Sequence, residues 1–115
     1  NKHYNNLEEY TMDNTYYFIT VMENLESGEG WLCLTGDSRC WGFFTDKQDA
    51  VDVLHKNATD LRETCYNYAV LEEYTQGICG YNFVRQFFKW DGNRQGFYEI
   101  EEPECVKNIC SFAIG

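Results

Sequence analysis

The stretch Tyr16-Tyr17-Phe18-Ile19-Thr20-Val21-Met22 alternates β-branched and aromatic residues with period two, placing Tyr17, Ile19 and Val21 on one face. Both faces are largely apolar, so the run reads as a central strand. Downstream, Trp31–Thr35 and Cys40–Phe44 are two further apolar runs around Gly36-Asp37-Ser38-Arg39, residue types suited to a tight reversal, and together they predict a hairpin. Thr45-Asp46-Lys47-Gln48 has the form of a capping box. Val51, Leu54, Ala58 and Leu61 then follow at spacings of three and four, predicting a helix that ends near Glu63 or Thr64, with Asp46, Asp49 and Asp52 favouring its dipole.

Alternation returns from Tyr66 to Tyr74 and breaks at Gln76-Gly77. Phe83–Trp90 and Phe97–Ile100 flank Asp91-Gly92-Asn93-Arg94-Gln95-Gly96, whose glycines and asparagine permit the positive φ of a hairpin loop. The segment Cys110–Gly115 is apolar enough to dock on the core. The order strand, hairpin, helix, strand, hairpin predicts an α+β domain: an antiparallel or mixed sheet of about five to six strands, with one main α-helix packed on one face. A chain of 115 residues suits a single core, read as an N-terminal extension over residues 1–15 and one domain over 16–115. Met12 is a candidate native start.

Nineteen Asp and Glu against nine Lys and Arg give a formal charge of -10, which repels phosphate backbones and anionic membranes and favours a basic partner. No run approaches the roughly 18 apolar residues of a spanning helix. The six cysteines sit in apolar contexts such as Leu32-Cys33-Leu34, and are expected to be reduced core residues of a cytoplasmic protein. A cross-strand Cys33–Cys40 bond is the alternative, since the predicted hairpin would set them opposite each other.

Catalytic chemistry is not apparent. Of two histidines, His3 falls in the extension and His55 beside the helix stripe, where a surface or core-rim role is expected. There is no C-x-x-C pair, no calcium loop in Glu99–Glu104 and no glycine-rich phosphate loop, so neither metal nor cofactor is expected and the protein is read as no enzyme. Asn57-Ala58-Thr59 matches a glycosylation acceptor by chance inside the predicted helix.

Two surfaces remain as candidates. The carboxylates Glu72, Glu73, Glu99, Glu101, Glu102 and Glu104 could present a phosphate-like array to the basic groove of a nucleic-acid-handling protein, with no direct nucleic-acid or membrane contact. Alternatively, Arg85, Phe87, Lys89, Trp90 and Arg94 concentrate charge and aromatic faces that could hold a nucleotide.

Tyr16-Tyr17-Phe18, Cys40-Trp41-Gly42-Phe43-Phe44, Tyr68-Ala69-Val70-Leu71-Glu72-Glu73 and Phe88-Lys89-Trp90 resemble segments of an uncharacterised group of small acidic bacterial and phage proteins. That resemblance covers most of the chain after Met12 and implies no catalytic residue. It implies a mobile-element origin, by analogy with inhibitors of bacterial defence such as anti-CRISPR proteins, whose partner would be a CRISPR effector in a bacterial cytoplasm.

Overall fold

The computed structural model describes residues 15–28, 33–77 and 84–114. In it the both-faced apolar run becomes β1 (Thr15–Met22), hydrogen-bonded to strands on either side. Two short strands follow, β2 (Glu26–Ser27) and β3 (Cys33–Leu34), then β4 (Ser38–Phe44), helix α1 (Lys47–Lys56), β5 (Tyr68–Thr75), β6 (Arg85–Asp91) and β7 (Gly96–Ile100). The main sheet has the order β4-β1-β5-β6-β7 with every neighbouring pair antiparallel, and β2-β3 forms a second, small sheet. With its single main helix, the chain is α+β.

The predicted hairpin between Trp31–Thr35 and Cys40–Phe44 does not form. Cys40 lies opposite Thr20 of β1, while Cys33 lies opposite Ser27 of β2; Trp31 and Leu32 are outside the described residues. Glu23 accounts for the difference. Its N–H donates to the Asp37 carbonyl at 3.0 Å and its carboxylate accepts the Asp37 N–H at 2.7 Å, so the Gly36-Asp37 turn is held to the end of β1. The chain therefore returns along β1 rather than along its own preceding segment. Cys40 is a free, exposed thiol, and Cys33 is instead disulfide-bonded to Cys105, across 72 residues of sequence.

The helix also departs from expectation at both ends. Asp46, not Thr45, is the N-cap, its Oδ1 accepting the Gln48 N–H at 2.8 Å. Asn57 takes a left-handed conformation (φ 48°, ψ 46°) and its Oδ1 accepts the Arg62 N–H, which ends the helix at Lys56 rather than near Glu63. Ala58–Asp60 is a short 3-10 turn, and the glycosylation-like Asn57 is thus a helix cap.

Both faces of the sheet are covered. On one, Ile19, Val21, Ala69, Leu71, Phe88 and Phe97 pack against Ala50, Leu54 and Leu61. On the other, Met22, Val70 and Phe87 pack against Cys105 and Val106 of a C-terminal strap, residues 103–114, which includes the 3-10 turn Glu104–Asn108. Phe112 closes edge-on over Phe87 at 5.8 Å, so the closing segment docks as its composition suggests.

The strap rests on charged side chains of the sheet as well as apolar ones. Glu72 is fully buried, and its carboxylate accepts the N–H groups of Phe112, at 3.1 Å, and Ala113, at 2.9 Å. Arg85, opposite it on β6 and 1% exposed at the side chain, donates to the carbonyls of Ile109 at 2.6 Å and Val106 at 2.9 Å. Tyr74 and Ser111 share a hydroxyl hydrogen bond beside them.

In the β6–β7 turn the left-handed residue is Gln95 (φ 57°), and neither glycine has positive φ. Gly96 is needed for a different reason: a Cβ there would stand 1.9 Å from the carbonyl oxygen of His55, because α1 crosses β7 at that point. Gly96→Ala is expected to lower stability by about 1–3 kcal/mol through overpacking, measured by urea denaturation, whereas Gly92→Ala, whose nearest contact would be 3.9 Å away, serves as a near-neutral control. An unchanged midpoint for Gly96→Ala would mean that the helix does not approach β7 this closely.

Candidate functional site

Alternation along β5 separates the two adjacent glutamates of the sequence. Glu72 points under the strap, where burial holds its carboxyl above the usual carboxylate range despite the strap amides and Arg85. It is a structural residue and not part of an acidic surface. Glu73 faces the helix side, where it lines a small pocket with Tyr17, Lys47 and Gln86. Among the remaining predicted carboxylates, Glu102 lies 3.5 Å from the Arg85 guanidinium and Glu104 is 3.1 Å from the Lys107 ammonium, while Glu99 and Glu101 are exposed.

A larger cleft, about 540 Å³, adjoins that small pocket and shares Lys47 and Gln86 with it. It lies between the flank of α1 and the β6–β7 hairpin. Lys47, Val51 and His55 recur at intervals of four along the helix and line one wall; Gln86, Phe88 and Glu99 line the other, and Asp46 stands at the helix start. The Gln86 side-chain amide donates to Glu99 Oε2 at 3.0 Å, which fixes one oxygen of that carboxylate. Asp46 likewise uses Oδ1 for its cap. His55 stacks on Tyr98 with centroids 4.5 Å apart, and the Arg94 guanidinium lies 3.7 Å from the centroid of the same ring.

The structure thus draws Asp46, Glu73 and Glu99 to one end of the helix face. Their field is felt by Tyr17, whose hydroxyl is held above the usual phenol range by burial first, then by the charge of Glu73 and a hydrogen bond to it, and then by Asp46. Lys47 supplies one opposing charge and is exposed.

The basic and aromatic residues of β6 and its turn do not share one surface. Arg85 and Phe87 are engaged beneath the strap. Lys89 lies 5.7 Å from the ring of Tyr68, Trp90 packs with Phe97 on the helix side under the Arg62 guanidinium, and Arg94 pairs with Asp91 at 2.8 Å. That pairing holds the Asp91 carboxyl below its ordinary range. The cleft residues Gln86 and Phe88 are the complementary parity of the same strand. Of β6 the sequence reading singled out Arg85, Phe87, Lys89 and Trp90; Gln86 and Phe88 were open to the same period-two reading, which gives no hint of the helix flank that faces them.

Among the described residues, no group of three or more His, Cys, Asp and Glu side chains is arranged to hold a metal ion, and no helix is long and apolar enough to cross a membrane.

The field at this end of the helix is measurable through Tyr17. A folded-state pKa above the unfolded one means that folding favours the neutral phenol, so the associated stability is complete below the ordinary phenol value and is lost as pH rises through the raised one. Glu73→Gln should shift the Tyr17 transition downward toward the ordinary value in an NMR titration. A transition that does not move would show that Glu73 does not act on this hydroxyl.

Scanned against protein-family models, curated proteins and solved structures, the chain matches none.

Proposed function

We propose that this protein is a non-enzymatic acidic binding module that occupies the basic groove of a nucleic-acid-handling protein, in the manner of an inhibitor of bacterial defence. The observation that carries the reading is the convergence of Asp46, Glu73 and Glu99 at one end of the helix face, in a chain of formal charge -10. Exposed carboxylates pair with Arg and Lys through the same charge-assisted hydrogen bonds that a phosphate oxygen accepts, and their summed field speeds encounter with a basic surface. Glu101, exposed like Asp46 and Glu99, extends the acidic surface, whereas Glu73 is half-buried and Glu72 is excluded from it by burial. A CRISPR effector is one partner of this chemistry.

The compartment of this reading is a bacterial cytoplasm. There glutathione and thioredoxin keep most thiols reduced, so this reading expects the Cys33–Cys105 bond to be open in the cell, contrary to its state in the structure.

Binding of this kind is salt-dependent. Immobilised protein presented with a bacterial lysate enriched in CRISPR effectors and other nucleic-acid enzymes should retain a basic enzyme at low ionic strength and release it as salt screens the contact over about 10 Å at 0.1 M. Failure to retain any such enzyme at low salt would contradict the proposal.

A further inference from the structure

We propose that the free edge of β4, with the apolar pocket beside it, pairs with an extended, basic segment of the partner, an inference that rests on the acidic-module reading above. In the order β4-β1-β5-β6-β7 the strand Ser38–Phe44 is outermost. Its backbone pairs with β1 on one side and makes no other hydrogen bond among the described residues. Every second residue of an antiparallel strand turns its N–H and C=O away from the neighbour, so this edge offers a row of unmet donors and acceptors to another extended chain. Little guards it. The strand has no proline, its one charged side chain is Arg39, and that guanidinium is engaged by Glu63 at 3.0 Å.

The pocket gives the edge selectivity. Its volume is about 240 Å³, and its walls include Trp41, Gly42 and Phe44 of β4, Ile19 of β1, Val53 of α1 and Leu61 beyond the 3-10 turn. Phe43 lines it too, although its pairing with Phe18 places it on the other face of the strand, so the pocket opens along the edge and not over one face alone. A Cβ on Gly42 would meet nothing within 4 Å, so the space beside the strand is clear there. On the other face the Phe43 side chain is exposed, its ring 5.7 Å from that of Phe18. An added strand would set side chains of one parity into the pocket and those of the other parity against Phe43. Charge selects among such strands. Exposed carboxylates bracket β4, Asp37 before it and Asp46 beyond it, and Asp60 adjoins the pocket residue Thr59. A second copy of the chain would bring another formal charge of -10, whereas a segment with alternate apolar side chains and Lys or Arg at its ends meets both the pocket and the carboxylates.

The test uses the whole protein at low ionic strength, fluorescence anisotropy, and a labelled peptide, Lys-Thr-Ile-Thr-Leu-Thr-Ile-Thr-Lys. Two analogues are N-methylated at alternate amides, each blocking one edge of the peptide. The unmodified peptide should bind, and one analogue should bind about tenfold or more weaker than the other, as the loss of several backbone hydrogen bonds requires. Equal affinities of the two analogues would overturn edge pairing and leave charge attraction alone. Ala58→Phe, which fills the pocket from the turn, should weaken the peptide by a similar factor, and an unchanged affinity would remove the pocket from the account. A protein that sediments as a dimer and excludes the peptide would overturn the proposal in favour of a second copy. Failure to bind the peptide by a protein that still retains a basic enzyme from a lysate at low salt would sink the edge and leave the acidic-module reading standing; failure of both would end both.

Discussion

Glu72 and Arg85 lie opposite each other on adjacent strands, both buried, and the C-terminal strap supplies the hydrogen bonds of each. The carboxylate takes the N–H groups of residues 112 and 113, and the guanidinium takes the carbonyls of residues 106 and 109. Burying either charge without hydrogen-bond partners would cost several kcal/mol, and Arg85 also meets the Glu102 carboxylate at 3.5 Å. The strap is irregular backbone laid over a sheet, and its polar groups need partners that an apolar surface cannot give. Each problem solves the other, and the attraction between the opposite charges across the strands adds to the arrangement.

The rest of the architecture follows from that latch. Because the strap seals one face, β1 and β5 can be apolar on both faces, and Phe87 and Phe88 can both be buried although they point in opposite directions. The strap start is joined to the small β2–β3 sheet through Cys33 and Cys105, so the only covalent cross-link among the described residues ties together two segments that contribute nothing to the five-stranded sheet. With one face closed and Arg85 and Phe87 engaged there, Gln86 and Glu99 of the β6–β7 hairpin turn to the helix side, where they and the flank of α1 leave the cleft open.

Much of the fold was legible in periodicity. The alternation of residues 16–22, 66–74 and 83–100 marks strands close to β1, β5, β6 and β7; Phe83 lies outside the described residues, as do residues 1–14 of the extension read over 1–15, whose last residue, Thr15, begins β1. Less legible was anything decided by a single side chain acting at a distance. Glu23 redirects the turn after Gly36, Asn57 stops the helix one residue past Lys56, and His55 forces a glycine at position 96 through backbone proximity. The candidate site shows the same division. Glu73 and Glu99 were named from composition alone, but the sequence cannot show that Glu72, one residue away, is structural; parity places it on the other face without revealing that a strap covers that face. Asp46 was recognisable as a helix-start aspartate, and only the packing of α1 against the hairpin brings it to the same cleft as Glu99.

Amide hydrogen exchange at Phe112 and Ala113 tests the latch most directly, comparing the unaltered protein with Glu72→Ala and with Glu73→Ala, the neighbouring substitution on the other face of β5. The account predicts that Glu72→Ala abolishes protection of these two amides and costs about 1–3 kcal/mol in global stability, as leaving buried N–H donors without an acceptor does, while Glu73→Ala leaves both amides protected. Retained protection at Phe112 and Ala113 in the Glu72→Ala protein would contradict it, and would mean that apolar docking of Val106 and Phe112 holds the strap without the carboxylate.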